Sequence, residues 1–583
     1  MARSATEPEA TPPNGVSVAP GGAAHGDGAQ TGWMLPLVVL VVGVFMSILD
    51  ITIVTVALPT LQNDFGATAR DTTWVVTAYS LTEGVVLPVS AWLGHRFGLT
   101  RVYNLALLGF AAGSALCGLA WSLNTLVAFR IVQALLGGIL PAVTLSILLR
   151  IVPRDRLGAA LGLYGIGVVV APAVGPTLGG YLVEYVNWRL IFFINVPVGI
   201  LGTIAAILVL PTFPGQAGRR FDVLGFLTVA TGLFSLLLAL QKGEDWGWGS
   251  YQILALLLLS AVSLALFVVV ELEVDDPMLD LRVFRHGAFS LSLVLIALMM
   301  IALFNVAVYV PQFLQQGQGL GAFDAGLVML GPALVMACMM LPAGLLYDRI
   351  GPRVPTVIGI GIAAVAAYLL HGITLDTSRG HIILLLMLQY LGIGLAMMPI
   401  FSGGLAVIPP EQSATASTYN NVVQRTTASL GVAVFTAIVT AQQAQQLSGR
   451  ADLVPAATTP TPHLGPPGTP DWLGVFATYQ QTNNRAFAGA ISDLFLIMCG
   501  LYVVSMLIAF FLRSGPSAPA GAAPPQPATT PGISAINSQV KDGVIEDGLS
   551  EHRFVPSEPA SSNGSSAREA RGSPGGDGGT HPR

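Results

Sequence analysis

Four charged side chains stand inside apolar runs long enough to cross a bilayer: Asp50, Glu83, Arg130 and Arg425. Asp50 lies in the run WMLPLVVLVVGVFMSILDITIVTVAL, residues 33–58. A charge at that depth costs roughly 3 kcal/mol on insertion scales. A carboxylate kept there is expected to do chemistry, and the simplest chemistry open to it is to take up and release a proton. Facing helices would bring Arg130 to Asp50, because an unpaired charge in hydrocarbon is too costly. Asp50 would ionise when water reaches it, with Arg130 setting its proton affinity. Gln133, nearly one turn on from Arg130, is placed to hydrogen-bond the same network. Glu83 follows Tyr79 by four residues, which stacks the two on one helix face. With no obvious local cation, Glu83 is expected to hold a proton at neutral pH and ranks beside Asp50 as the coupling acid. The bland alternative for each acid is a structural ion pair or a hydrogen-bonded structural carboxyl. A static pair could more cheaply be apolar. The pattern reads as a membrane carrier driven by ions, most simply by protons.

Arg425 sits in NNVVQRTTASLG, one turn after Asn421. It is expected either to contact substrate and gate a cavity or to snorkel toward the helix end. Tyr79, Gln133, Asn305, Tyr309, Gln389, Tyr419 and Asn421 are further candidates for a cavity lining, with Asn305 and Tyr309 on one face. Tyrosines and amides on helix faces suit flat lipophilic cations through stacking and cation–π contact.

These groups need helices to hold them, and the composition supplies little else. Of 583 residues, 53% are hydrophobic and 10% charged, against about 25% charged in soluble domains. An integral membrane protein follows. No basic block points to nucleic acid. Cys117, Cys338 and Cys499 all fall in apolar runs, so neither a disulfide framework nor a metal site is expected. No nucleophile–base constellation argues for an enzyme, and no G-x-x-x-x-G-K-[ST] argues for direct ATP drive. No cofactor is expected beyond the proton gradient.

About fourteen runs reach the length needed to cross hydrocarbon: 33–58, 73–94, 101–122, 124–149, 157–184, 189–211, 222–241, 251–272, 286–314, 323–346, 354–375, 380–409, 414–441 and 485–512. The first is too long for a signal h-region and should stay in the mature protein. Residues 1–32 and 513–583 lack the periodicity of a core and read as disordered tails. An even span count puts both termini on one side. Loops on that side hold Arg96, Arg101, Arg150, Arg154, Arg156, Arg219, Arg220, Arg282, Arg285, Arg349, Arg353 and Arg513. The opposite loops hold Arg70, Arg189, Lys242, Arg379, Arg450 and Arg485. The excess places both termini in the cytoplasm. One outer loop, 442–484, is long and Pro- and Thr-rich, with a short aromatic helix expected near Trp472 to Tyr479.

AWLGHRFGLTR (Ala91 to Arg101) after the second span returns as GLLYDRIGPR (Gly344 to Arg353) after the tenth. Parallel repeats of this kind occur in transporters with a site at the interface of the halves. Two halves of six spans, 33–211 and 286–512, leave the pair inside 212–285 as an insertion.

The chain resembles the major facilitator superfamily, and within it the fourteen-helix drug:proton antiporters of the EmrB/QacA type. The residues that carry the resemblance are LDITIVTVALPTL (Leu49 to Leu61), WVVTAYSL (Trp74 to Leu81), RIVQALLGG (Arg130 to Gly138), GVVVAPAVGPTLGG (Gly167 to Gly180) and NWRLIFFINVPVG (Asn187 to Gly199). The resemblance implies an all-α integral membrane protein of the major facilitator fold: two six-helix bundles plus two extra central transmembrane helices, about fourteen in all. It implies a proton-coupled antiporter exporting lipophilic, often cationic drugs across the cytoplasmic membrane. Lipids, or one dedicated antibiotic or metabolite, are the alternative cargo. Partners would be such substrates, protons and membrane lipids, with the protein acting as a monomer. The resemblance also implies gating roles for His95, Arg96 and Gly98, and for Asp348, Arg349 and Gly351 in the second copy. Gly167, Pro172, Gly175, Pro176, Gly179 and Gly180 would form a bent, tight seam against proton leak. His95 stands where the family carries an acid, so any latch there must work differently.

Overall fold

The computed structural model describes residues 32–215, 221–274, 276–451 and 471–512. The expected tails, apart from Gly32, lie outside these residues. Among the described residues every regular element is a helix. Span one is Met34–Phe65. Span two is Trp74–Val86 and Val89–Phe97, and span three is Leu99–Gly118. Span four is Leu123–Gly137 and Leu140–Ile151, and span five is Leu157–Tyr185. Span six is Leu190–Phe193 and Asn195–Val209. Span seven is Val223–Trp246 and span eight Tyr251–Glu273. Spans nine to fourteen are Gly287–Gln312, Ala322–Ile350, Arg353–Leu370, Arg379–Leu405, Ser413–Ala451 and Asp471–Ala509.

Among the described residues thirteen stretches are long and apolar enough to cross a membrane. The fourteenth expected run, span two, is present but divided. Pro88 has no N–H to continue the helix and caps the second piece, leaving two short helices. Span four steps at Gly138 and resumes with Pro141 in its first turn, the position where a missing N–H costs nothing. Span five runs unbroken through Pro172 and Pro176. Span one has 32 residues, about 48 Å at about 1.5 Å per residue, so it tilts within, or projects beyond, a hydrocarbon layer of about 30 Å.

Two expectations from the loops are corrected. Lys242, counted as a loop charge, lies inside span seven with only 2% of its side chain exposed. Its ammonium sits 2.8 Å from Asp245 Oδ2 and 5.4 Å from the centroid of the Trp74 ring. The loop 442–484 is also shorter than its composition suggested. Span thirteen continues to Ala451 and span fourteen starts at Asp471. The stretch TAQQAQQL is rich in good helix formers, and Gln443 Nε2 donates to Asn483 Oδ1 at 2.9 Å to join the two extensions. The aromatic segment Trp472 to Tyr479 is the start of span fourteen. Only 452–470 of that loop lies outside the described residues.

The repeat noticed in the sequence has one backbone solution. Gly98 and Gly351 end their helices with φ of +90° and +80°, where L side chains are strained. The next span follows each almost at once.

Span one packs on spans four, five and six, span three on spans four and six, and span two on span four. Spans ten and eleven pack on twelve, span nine on thirteen, and span fourteen on eleven and thirteen. Span seven packs on span eight and also on spans two and thirteen. The face where span one begins is called the terminal face below, and its opposite the far face.

Spans five and ten meet toward the terminal face through small residues. A Cβ on Gly158 or Gly344 would strike the carbonyl oxygen of the other, and one on Gly162 would come within 2.8 Å of the Met340 carbonyl oxygen. Farther along the same stripe of span five, Pro172 and Pro176 are exposed. A Cβ on Gly180 would meet nothing within 4 Å. The two spans are therefore pressed together at the terminal face and free of each other along this stripe at the far face. Gly344→Ala should cost about 1–3 kcal/mol through overpacking. Thermal unfolding followed by a thiol-reactive dye on buried Cys117 measures it, and an unchanged midpoint contradicts the seam.

Candidate functional site

Asp50 is fully buried on span one, between Leu49 and Ile51. No water is at hand to solvate its charge, so the protein must supply the partners. Arg130 Nη1 on span four donates to Asp50 Oδ2, forming an ion pair with neither side chain exposed. Asp50 Oδ1 accepts from Gln133 Nε2 at 3.1 Å and from Asn195 Nδ2 at 3.0 Å. Arg130 Nη1 also donates to Gln133 Oε1 at 2.8 Å, and Nε donates to the Val75 carbonyl at 3.3 Å. The guanidinium lies 4.1 Å from the centroid of the Tyr79 ring, a cation–π stack that fixes both groups. Spans one, four and six thus converge on one carboxylate, and span two meets its arginine. Gly113 lets them do so, since a Cβ there would come 2.7 Å from Gln133 Cα.

Asn195 was not singled out in the sequence. It donates both to Asp50 and, at 3.1 Å, to Ser114 Oγ, which itself donates to the Phe192 carbonyl at 2.8 Å. The signal was available: Asn195 is a lone amide in the apolar stretch LIFFINVPVG, and a polar group at that depth needs a partner.

Glu83 departs from its sequence expectation. It does have a cation: Arg425 Nη2 on span thirteen donates to Glu83 Oε1. The pair joins the first half of the chain to the second. Glu83 is 1% exposed and Arg425 34%, so the carboxylate is interior while the guanidinium reaches solvent. Gly138 of span four packs on Glu83, where an added Cβ would come 3.0 Å from its Cα and Cγ. Span seven closes the other flank: a Cβ on Gly84 would overlap the Leu237 side chain.

Other contacts at the terminal face also cross between the halves. Asp348 Oδ1 and Oδ2 accept from the N–H groups of Gly158 and Ala159 at 3.0 and 3.1 Å. A carboxylate at a helix N-terminus satisfies free N–H donors and complements the dipole. His95 holds the matching position of the first repeat by other means. Its Nε2 lies 3.1 Å from the Glu411 carbonyl oxygen, so it donates there to the segment preceding span thirteen. Ser90 and Thr418 hydroxyls lie 2.9 Å apart, and Arg150 Nε donates to Ser413 Oγ at 3.1 Å. Arg96 is half-buried and Arg349 exposed.

The remaining predicted residues do not converge. Gly167, Gly175 and Gly179 pack on Val41, Thr52 and Ile53 of span one, making a seam inside the first half. Asn305 faces Gly431, and the Tyr309 hydroxyl bonds Thr436 at 2.6 Å, both toward span thirteen. Gln389 Nε2 donates to the Tyr502 hydroxyl at 3.3 Å, between spans twelve and fourteen. Tyr419 donates to the Leu279 carbonyl at 3.1 Å and packs on Phe284, so it ties down the linker after span eight. Asn421 donates within its own helix to the Ser417 carbonyl at 2.8 Å. Of the expected cavity set, only Asn421 and Arg425 are partly exposed.

Residues 40–432 match the sequence profile of the Major Facilitator Superfamily. The chain is 28% identical over 498 residues to the multidrug export protein EmrB of Escherichia coli (strain K12), covering 84% of this chain and 96% of that one. It is 32% identical over 427 residues to the tetracenomycin C resistance and export protein of Streptomyces glaucescens, covering 72% and 78%. In fold it is similar to the crystal structure of the human organic anion transporter MFSD10, with a TM-score of 0.55 at 12% identity over 82% of this chain and 99% of that one.

Removing one partner of a buried pair leaves a bare charge, which costs about 3–5 kcal/mol. Arg130→Ala should lose stability on that scale, and adding Asp50→Asn should restore part of it. Thermal unfolding in detergent compares the two, and an equally unstable double variant rules out the pairing.

Proposed function

Since the chain belongs to the Major Facilitator Superfamily, we propose that it is a proton-coupled antiporter. It exports lipophilic, often cationic drugs across the cytoplasmic membrane by alternating access. The observation that carries this reading is the placing of two buried carboxylates, each tied to an arginine. Asp50–Arg130 lies within the first half, and Glu83–Arg425 joins the halves. A proton on either acid removes a charge from the interior and weakens a specific contact. At Glu83 the weakened contact is between the bodies that must move. The arrangement supports a two-state mechanism in which neutralisation shifts the balance between two packings of the halves.

The direction follows from the loops. The arginine excess on the terminal face supports placing both termini in the cytoplasm. The interlocked terminal face then corresponds to a carrier shut toward the cytoplasm, with its acids approached from outside. An inward proton yields about 2.3 kcal/mol per 100 mV of membrane potential, before any pH gradient. Asn421 and Arg425, partly exposed on span thirteen, are the candidate substrate contacts. The named relatives export drugs or one antibiotic. The likeness to the tetracenomycin C exporter supports a second reading of the cargo, a single dedicated antibiotic or metabolite. The coupling would be the same.

Dye efflux from energised vesicles tests this. Ethidium should leave vesicles bearing the native protein, and an uncoupler should stop it. Asp50→Asn and Glu83→Gln should each lower gradient-driven efflux at least about tenfold, the loss expected when a group that must titrate no longer can. Efflux surviving in both variants rules out the coupling. A native protein inert toward amphipathic cations but active on one antibiotic selects the second reading.

A further inference from the structure

Around Glu83 the two ion pairs do not use every buried polar atom. Glu83 gives Oε1 to Arg425, while its Oε2 is buried with no hydrogen-bond partner. The hydroxyl of Tyr79, a residue with 0% exposure, is also without one. Buried polar groups are nearly always paired, so two such atoms in one place call for an explanation. Tyr79 and Glu83 lie one turn apart in the unbroken helix Trp74–Val86. Residues four apart share a helix face, which makes Glu83 and Tyr79 neighbours. The Tyr79 ring is pinned by Arg130 at 4.1 Å. Its ring therefore has a fixed place, and Arg425 draws the Glu83 carboxylate toward span thirteen.

We propose that Tyr79 is the second partner of Glu83: when Glu83 is protonated its carboxyl leaves Arg425 and hydrogen-bonds the Tyr79 hydroxyl, so that the charged tie between the halves is exchanged for a neutral bond within span two. This rests on the reading of Glu83 as a coupling acid and assigns Tyr79 as a positioning residue. The proton balance is simple. One proton from water on the exposed side of Arg425 goes to Glu83. Arg425 keeps its charge and turns to solvent, and no other proton moves. The charged groups acting on this pair are Asp50 from span one, Arg130 from span four and Arg425 from span thirteen. Span seven presents Leu237 at this level, with its Lys242 beside Asp245 and over Trp74 instead. Arg130 is held by Asp50, Gln133 and the Val75 carbonyl through Nε and Nη1, while its Nη2 is buried without a partner.

The hydroxyl favours only the protonated, released form. Removing it should demand more acid to release the tie. Spin labels at Asp155→Cys and Val354→Cys, in a full chain whose three native cysteines are replaced, would report the separation of the halves at the terminal face. In lipid nanodiscs the native residues should show a pH-dependent switch between two distances. Tyr79→Phe, which keeps the ring on Arg130, should move the midpoint to lower pH by about one unit, the worth of one hydrogen bond. Glu83→Gln should abolish the pH dependence with or without Tyr79→Phe. A midpoint unmoved or raised by Tyr79→Phe overturns the proposal. Should that variant fail to fold, infrared difference spectra of the protein with native Tyr79 decide. The protonated Glu83 carbonyl, assigned by its loss in Glu83→Gln, should absorb as a hydrogen-bonded acid, and a free-acid frequency overturns the proposal. Gradient-driven efflux by Glu83→Gln would instead sink the coupling role itself, so the two failures are distinguishable.

Discussion

A charge in a low-dielectric interior must be neutralised where it stands, and that constraint organises this molecule. Asp50 cannot be left bare on span one, so span four must bring Arg130, and spans four and six must add Gln133 and Asn195 to the remaining carboxylate oxygen. Glu83 makes the same demand, but no cation of the first half answers it. The answer comes from span thirteen, 342 residues later. One requirement thus has two outcomes. The first is a network that stays within the first six spans. The second is a bond whose integrity depends on how two bodies sit.

How much of this could be read from the chain follows from range. The depth of each charge was legible from the length of the apolar run around it. The Asp50–Arg130 pair was legible because opposite charges at matching depth leave few other solutions, and Gln133 followed from helical spacing. The partner of Glu83 was not legible, since hydropathy places a residue along the membrane normal but says nothing of which span lies beside it. Which residues share a cavity is beyond hydropathy for the same reason. Asn305, Gln389 and Tyr419 were chosen by type, yet their polar atoms or close contacts go to neighbouring spans or a linker. The helix ends misled in another way. Span thirteen outlasts its apolar stretch because Ala and Gln sustain a helix without lipid-seeking side chains.

The repeat shows how one sequence pattern can be met by unlike chemistry. Both copies end a helix at a left-handed glycine. In the second, Asp348 caps span five. In the first, His95 faces the Glu411 backbone carbonyl, with Ser90 and Arg150 adding bonds nearby. A carboxylate accepts from N–H groups and an imidazole N–H donates to C=O, so the substitution inverts the polarity of the latch while keeping its position.

The packing of spans seven and eight has a bearing on engineering. Span seven touches spans two and thirteen together, with Leu237 and Leu238 packed against Leu81 and Leu237 filling the notch at Gly84. It is therefore a wall of the very crevice in which the interhalf bond lies. Excising residues 212–285 to recover a minimal twelve-helix carrier would leave acyl chains to wet the flank of Glu83. The hairpin is thus part of the packing around the acid, and Leu237 is the side chain through which it takes part.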